Sequence, residues 1–223
     1  PLLDAAAADQ VATGLVRPAA SGGGLILDLR GSTGDNLDAV DAVAAPHVAS
    51  DTFLYRLRDG RGEECDLRSA PAAPRAAAPL LVLIDEDTRG TAELLAALFA
   101  AAPRGVLLVG ARTRGDAARR ELRPLADGRV VRLATGWFAW PDGTTWRGTG
   151  IAPHVAVSAG DPVRVDIPTN ATTRTGKPLA EAAKRHLALF ARVREDAALA
   201  RAVDLVLGLK ALAILPEAGH APR

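Results

Sequence analysis

Residues 80–110 read LLVLIDEDTRGTAELLAALFAAAPRGVLLVG. The run Leu80 to Ile84 is too short to span a bilayer and lacks the polar alternation of a half-wet strand, so it predicts a strand buried on both faces. The polar stretch Asp85 to Gly90 predicts a loop. From Thr91 to Ala102 the residues Leu94, Leu95, Leu98 and Phe99 share one helical face, and Pro103 stops the helix. Val106 to Val109 is a second short apolar run that follows almost at once. Strand, helix and strand in that order predict a right-handed crossover between parallel neighbours, hence an α/β fold whose sheet is layered against helices.

The same unit occurs upstream. Leu25 to Leu27 form an apolar run ending at Asp28, Gly31 to Asp35 make a turn, and Leu37, Val40 and Val43 recur at helical spacing until Pro46. The expected core is therefore built from repeated strand-turn-helix units. Between them, Thr52 to Arg58 alternates like a strand, with Asp59-Gly60 as a hairpin turn, and the Ala- and Pro-rich stretch Ser69 to Pro79 reads as an exposed connector. Arg129 to Trp140 predicts further strand, closed by the turn Pro141-Asp142-Gly143.

A short helix is expected over Pro1 to Val16, broken by Ser21 to Gly24. After Asp161 the composition shifts to helical spacing, with one helix around Pro178 to Phe190 and another from Ala197 to Leu212. The expected division is a core over residues 1–160 and a helical extension over 161–223. Those helices are placed either to cap the core or to mediate oligomerisation.

Composition narrows the function. The 223 residues are 48% hydrophobic and 24% charged, with net charge +1, which describes a chain able to bury a sizeable core. No run is long and apolar enough for a membrane span. The single Cys65 excludes an internal disulfide, and no zinc-like Cys/His spacing or cofactor motif is present, so neither metal nor cofactor is expected. No nucleic-acid partner is expected either, because the one basic cluster, Arg112, Arg114, Arg119, Arg120 and Arg123, is diluted by Asp116 and Glu121.

Three segments carry a resemblance. The first is Leu25-Ile-Leu-Asp-Leu-Arg-Gly-Ser-Thr-Gly34, followed by Leu37-Asp-Ala-Val40. The second is Val82-Leu-Ile-Asp-Glu-Asp-Thr88 through Ala92-Glu93-Leu-Leu, and the third is Gly148-Thr-Gly-Ile-Ala-Pro-His-Val155. In this order and with these separations, the chain from Ala19 to Val157 resembles the core domain of the C-terminal processing, or tail-specific, serine peptidases. The resemblance implies a layered core of the ClpP/crotonase kind. It also implies peptide-bond hydrolysis, polypeptide C-termini as partners, and a periplasmic, envelope or secreted location. The PDZ domain that many such peptidases carry is expected to be absent from this stretch of chain.

By that resemblance the mechanism is a Ser-Lys dyad, in which a neutral lysine takes the proton of the attacking serine. Aligned on Glu93, the nucleophile position falls on Gly90. Aligned on Val109-Gly110, the lysine position falls on Asp116 and the supporting glutamine position on Arg120. The oxyanion-like donors fall on Gly34 and Thr91, with Asp35 where the resemblance has a second glycine. A shift of register restores nothing, because no lysine occurs before Lys177 and the five serines, Ser21, Ser32, Ser50, Ser69 and Ser158, all lie elsewhere. The expectation is a pseudopeptidase with a peptide-binding or structural role.

Other readings stand beside it. Thr88 or Thr91 could attack with Asp116 as base, though a carboxylate of ordinary pKa near ~3.9 is a poor base for an alcohol, and both threonines also suit the N-cap of the helix that follows. A triad of Ser32, His47 and Asp28 can be written, with His47 read as a surface loop residue. His154 reads as structural, and Asp85, Glu86 and Asp87 as a solvated loop rather than a divalent-metal site. Asp116 is expected to pair with a nearby arginine, while Arg112 and Arg114 are candidates for binding a peptide carboxylate. Trp137, Phe138, Trp140 and Trp146 gather around one turn. Trp137 and Trp140 are candidates for lining an apolar cleft, with core packing as the alternative.

Overall fold

The computed structural model describes residues 24–49, 52–70, 78–102, 105–158, 160–161, 191 and 193–211. The helices expected over Pro1 to Val16 and Pro178 to Phe190 lie outside these.

The order of elements is β1 (Leu25–Asp28), α1 (Leu37–Ala44) with a 3-10 turn (Ala45–His47), β2 (Phe53–Asp59), β3 (Glu64–Ser69) and β4 (Leu80–Ile84). Then come α2 (Thr91–Ala101), β5 (Val106–Gly110), β6 (Ala118–Pro124), β7 (Val130–Ala139), β8 (Val155–Ala156) and α3 (Ala197–Ala211). The strands form two sheets. One is parallel, in the order β1-β4-β5-β8; the other is antiparallel, in the order β3-β2-β7-β6. The crossover expected from residues 80–110 is present, with β4 and β5 in parallel register from Leu80 opposite Val106 to Ile84 opposite Gly110.

The apolar run of β4 is explained by two different neighbours. Leu80, Val82 and Ile84 join a core with α1 and α2, whereas Leu81 and Leu83 face a second cluster containing Ala202 and, at its margin, Leu199, Leu205 and Val206 of α3. Both faces are dry, which is why no polar residue interrupts the strand. Each such side chain contributes about 1.5–3 kcal/mol on burial. Helix α3 therefore covers the sheet face opposite α1 and α2.

The antiparallel sheet joins the same main core. Leu54, Tyr55 and Leu57 of β2 and Phe138 of β7 are buried there, and the Tyr55 hydroxyl donates to Asp41 of α1 at 3.0 Å. Phe138 stacks on Trp146 at 6.5 Å, and Trp140 meets Trp146 at 5.1 Å. Core packing thus accounts for three of the four rings around the Pro141 turn. Trp137 points the other way, under the Arg147 guanidinium at 5.3 Å.

Strand β6 has no counterpart in the expectations. Its sequence, ARRELRP, carries four charges, and its pairing is set by β7 across a hairpin rather than by an apolar pattern of its own.

Candidate functional site

Because β1, β4 and β5 are parallel, the loops leaving their carboxyl ends, residues 29–36, 85–90 and 111–117, meet at one edge of the sheet. Crevices at such edges are where open α/β sheets place their sites. Backbone hydrogen bonds tie the three loops together: Arg89 N–H donates to the Ser32 carbonyl at 3.1 Å and Arg114 N–H to the Thr88 carbonyl at 3.2 Å. Asp85 Oδ1 accepts from Gly31 N–H at 2.9 Å, Asp87 N–H at 3.1 Å and the Thr88 hydroxyl at 3.0 Å. Asp85 is thus a knot between loops. Asp87 pairs with Arg114. Among the described residues no three His, Cys, Asp or Glu side chains converge to hold a metal ion.

Gly90 is the N-cap of α2, at φ 62° and ψ −134°, a conformation that favours glycine. A Cβ there would stand 3.2 Å from the Gly34 carbonyl oxygen, 3.3 Å from Thr33 Oγ1 and 3.8 Å from Gly34 N. The position aligned with the nucleophile and the oxyanion-like Gly34 are thus in direct apposition.

Neither threonine caps the helix, because no side chain does. Thr88 Oγ1 is buried and spans the loops, 3.1 Å from the Leu29 carbonyl and 3.1 Å from Asp85 N. Thr91, 1% exposed, has a hydroxyl with no hydrogen-bond partner.

The loop carrying Asp116 is built around Glu93. This residue is 0% exposed, in the first turn of α2, and its carboxylate accepts from the backbone N–H of Gly115 at 2.6 Å, Asp116 at 2.8 Å and Ala117 at 3.1 Å, and from the Thr113 hydroxyl. Four donors satisfy a charge that burial would otherwise make costly. Ala117 takes φ 45° in closing the loop around it. The sequence offered Glu93 only as an alignment anchor; the one local hint of its role was the glycine at 115.

Asp116 itself is engaged. Both its oxygens meet Arg120, one from Nη2 at 2.9 Å, and this pairing raises the Arg120 pKa against the lowering effect of burial. Across the site Arg132 of β7 donates to the Gly34 carbonyl at 3.0 Å and lies 3.9 Å from Asp35. The rest of the basic cluster is also occupied. Arg112 donates to the Thr149 and Gly150 carbonyls, both at 3.3 Å, and Arg119 and Arg123 share Glu121.

The third motif closes the loop from outside. Gly148 N–H donates to the Gly115 carbonyl at 2.7 Å and Ile151 N–H to Thr113 Oγ1 at 2.8 Å, while a Cβ on Gly150 would fall 2.2 Å from the Thr113 carbonyl oxygen. His154 completes the join to β5: its ring Nδ1 accepts from the backbone N–H of Leu108 at 2.9 Å, and its backbone N–H donates to the Leu108 carbonyl at 2.9 Å. A cavity of about 400 Å³ lies nearby, between the ends of β4 and β5 and the start of α3, beside Arg30, Asp85, Glu86 and Asp196.

The residues of the Ser32, His47 and Asp28 triad each have other neighbours. Ser32 Oγ points to the Arg30 carbonyl at 3.4 Å, and Asp28 is paired with Arg30. His47 is not a surface residue: it is 6% exposed, edge-on to Phe99 at 5.4 Å, with Nε2 unpartnered, and burial lowers its pKa to about 4. The apolar environment between α1 and α2 excludes it from solvent, which the Pro46 stop alone did not reveal.

The fold and this edge, with its glycine-lined turn at the start of α2, define a chain built like a peptidase core. The family model for peptidase family S41 matches residues 6–157, and the chain belongs to that family. Among solved structures it is similar to the photosystem II D1 C-terminal processing protease, with 25% identity and a TM-score of 0.56, over 70% of this chain and 40% of that one. A lipoprotein from Streptococcus agalactiae gives 22% identity and a TM-score of 0.55, over 69% and 56%. A protein described as an S41 protease from Bacteroides fragilis NCTC 9343 gives 19% and 0.57, over 71% and 46%. The last two likenesses speak for the fold alone. The chain spans about half the length of these structures. No curated protein matches it.

Proposed function

We propose that this chain is a non-cleaving S41 member, a pseudopeptidase whose site is kept for binding polypeptide or for a structural partnership. The observation that carries the reading is Gly90: the aligned nucleophile position has no side chain and faces the Gly34 loop across a gap that a Cβ alone would nearly close. The state of Asp116 supports it, since a carboxylate held by Arg120 in the place of a lysine is a poor proton acceptor. Arg112, Arg114, Trp137 and Trp140 remain candidate contacts for a bound peptide. An extracytoplasmic location is part of the proposal and rests on membership of the peptidase family alone. No described helix is long and apolar enough to cross a membrane.

The active alternative rests on Thr91, whose buried hydroxyl is unpartnered at the helix start. Thr88 suits it less, because its hydroxyl is already engaged with Leu29 and Asp85. The deciding experiment incubates the full chain with an unfolded protein ending in an apolar residue, alongside a labelled peptide of the same C-terminus. Binding without cleavage is expected. Cleavage abolished by Thr88→Ala, Thr91→Ala or Asp116→Ala would overturn the reading.

A further inference from the structure

In the order β3-β2-β7-β6 the last strand is an edge, and among the described residues no strand pairs with its outer side. The register sets Leu122 opposite Arg132 and Pro124 opposite Val130, so these four share one face of the hairpin with Arg120. That face is turned toward the site, because Arg120 reaches Asp116 and Arg132 reaches the Gly34 carbonyl. Past these ties Leu122 and Val130 stand 60% and 59% exposed. Natural sheets blunt their edges with charge, proline or cover, and on this face of β6 Arg120 and Pro124 do so at either side of an exposed Leu122.

The charge of the hairpin is one-sided. Residues 118–134 contain five arginines against Glu121 and Asp127, a net of +3 within a chain whose total is +1. An edge strand presents unpaired backbone donors and acceptors, so the ligand that matches it is itself a strand. Apolar side chains at alternate positions of that strand would lie beside Leu122 of β6, and acidic ones between them would face the Arg123 side.

We propose that the outer edge of β6 is a docking site for an extended, acidic-apolar polypeptide segment of about six residues, the length of Ala118 to Arg123, which adds as a strand and leads toward the Gly34 and Asp116 edge. The inference rests on the peptide-binding reading above and adds the surface and the chemistry of the ligand.

The test uses the full chain and a labelled ten-residue peptide alternating valine with glutamate, acetylated and amidated so that it has no terminal charges. Binding should weaken with salt, and Leu122→Glu should reduce it at least tenfold without changing the unfolding midpoint. N-methylation of every second peptide nitrogen should abolish binding in one phase and spare it in the other, because only alternate N–H groups of an added strand face β6. Equal binding in both phases, equal binding of a valine-lysine peptide, or indifference to Leu122→Glu would overturn the proposal. So would a dimer of the free chain that Leu122→Glu dissociates, since a second copy would then own the edge. The probe lacks a free carboxylate, so failure of terminal recognition at the site leaves this result unmoved, and failure at the edge leaves that one unmoved.

Discussion

The carboxylate of Glu93 takes the backbone N–H of Asp116 at 2.8 Å, so the helix that begins at the aligned nucleophile position and the loop that carries the aligned base position share one buried anchor. Removing it in Glu93→Ala leaves the N–H groups of Gly115, Asp116 and Ala117 without their acceptor. A loss of about 3 kcal/mol or more is expected, with Glu93→Gln recovering only part, since its amide oxygen can serve fewer of the donors. Urea unfolding checks the energy. Faster amide exchange confined to residues 113–117 in Glu93→Gln would locate it.

His47 should make stability fall with acid. Its folded pKa is about 4, below the ordinary 6.5, because burial disfavours the charged ring. Above about pH 6.5 both states are neutral; as the pH drops toward 4 the unfolded chain takes up a proton that the folded one refuses. The loss approaches about 3 kcal/mol at pH 4, where the folded ring also protonates and the slope ends. His47→Phe should flatten the denaturation curve across this window. An unchanged slope would show that other groups carry it.

Asp116 and Arg120 form a partly exposed pair, so Asp116→Ala should cost only about 1 kcal/mol. Asp116→Lys sets a cation beside Arg120 and should cost more, and adding Arg120→Gln should restore the melting temperature by several degrees. The lysine freed in this way is the one expected to support cleavage together with Gly90→Ser. Turnover in the triple variant, and none in the Gly90→Ser, Asp116→Lys double, would identify the Arg120 charge as the remaining obstacle.

Two glycines at positive φ should respond very differently to alanine. Gly110, at φ 126°, ends β5 with its missing Cβ 2.2 Å from the Ile84 carbonyl oxygen, so Gly110→Ala must push β4 and β5 apart and is expected not to fold. Gly128, at φ 82°, has open space in the β6–β7 turn, and Gly128→Ala should cost about 1 kcal/mol from the backbone alone. Soluble yield and thermal midpoints separate the two.

The parallel sheet was legible because its central strands, β4 and β5, are buried on both faces, and Leu80 to Ile84 must then be apolar throughout, whereas β1 at the edge is only half-buried. Helices α1 and α2 were legible because Pro46 and Pro103 bound them. The division into two sheets was not, since Thr52 to Arg58 and Arg129 to Trp140 alternate in the same way whichever sheet they join. At the site, alignment led to Gly34, Gly90 and Asp116, and an ion pair of Asp116 with a neighbouring arginine was expected, which among the candidates is Arg120. The role of Glu93 was hidden because its partners are mainly backbone N–H groups, which every residue but proline carries. Arg132 was hidden because its reach to Gly34 crosses 98 positions of sequence.

The cover that α3 gives to Leu81, Leu83 and Val109 has a consequence for synthesis. The last strand of the parallel sheet ends at Ala156 and α3 begins at Ala197, about forty residues later, so one face of that sheet is translated seconds before its cover at roughly 5–20 residues per second. Until then no described element shields that face from water. A chaperone, or a slow step that delays pairing of β4 with β5, would be most useful to this chain in that interval, and a ribosome stalled before Ala197 should yield aggregate where one released after Ala211 yields folded protein.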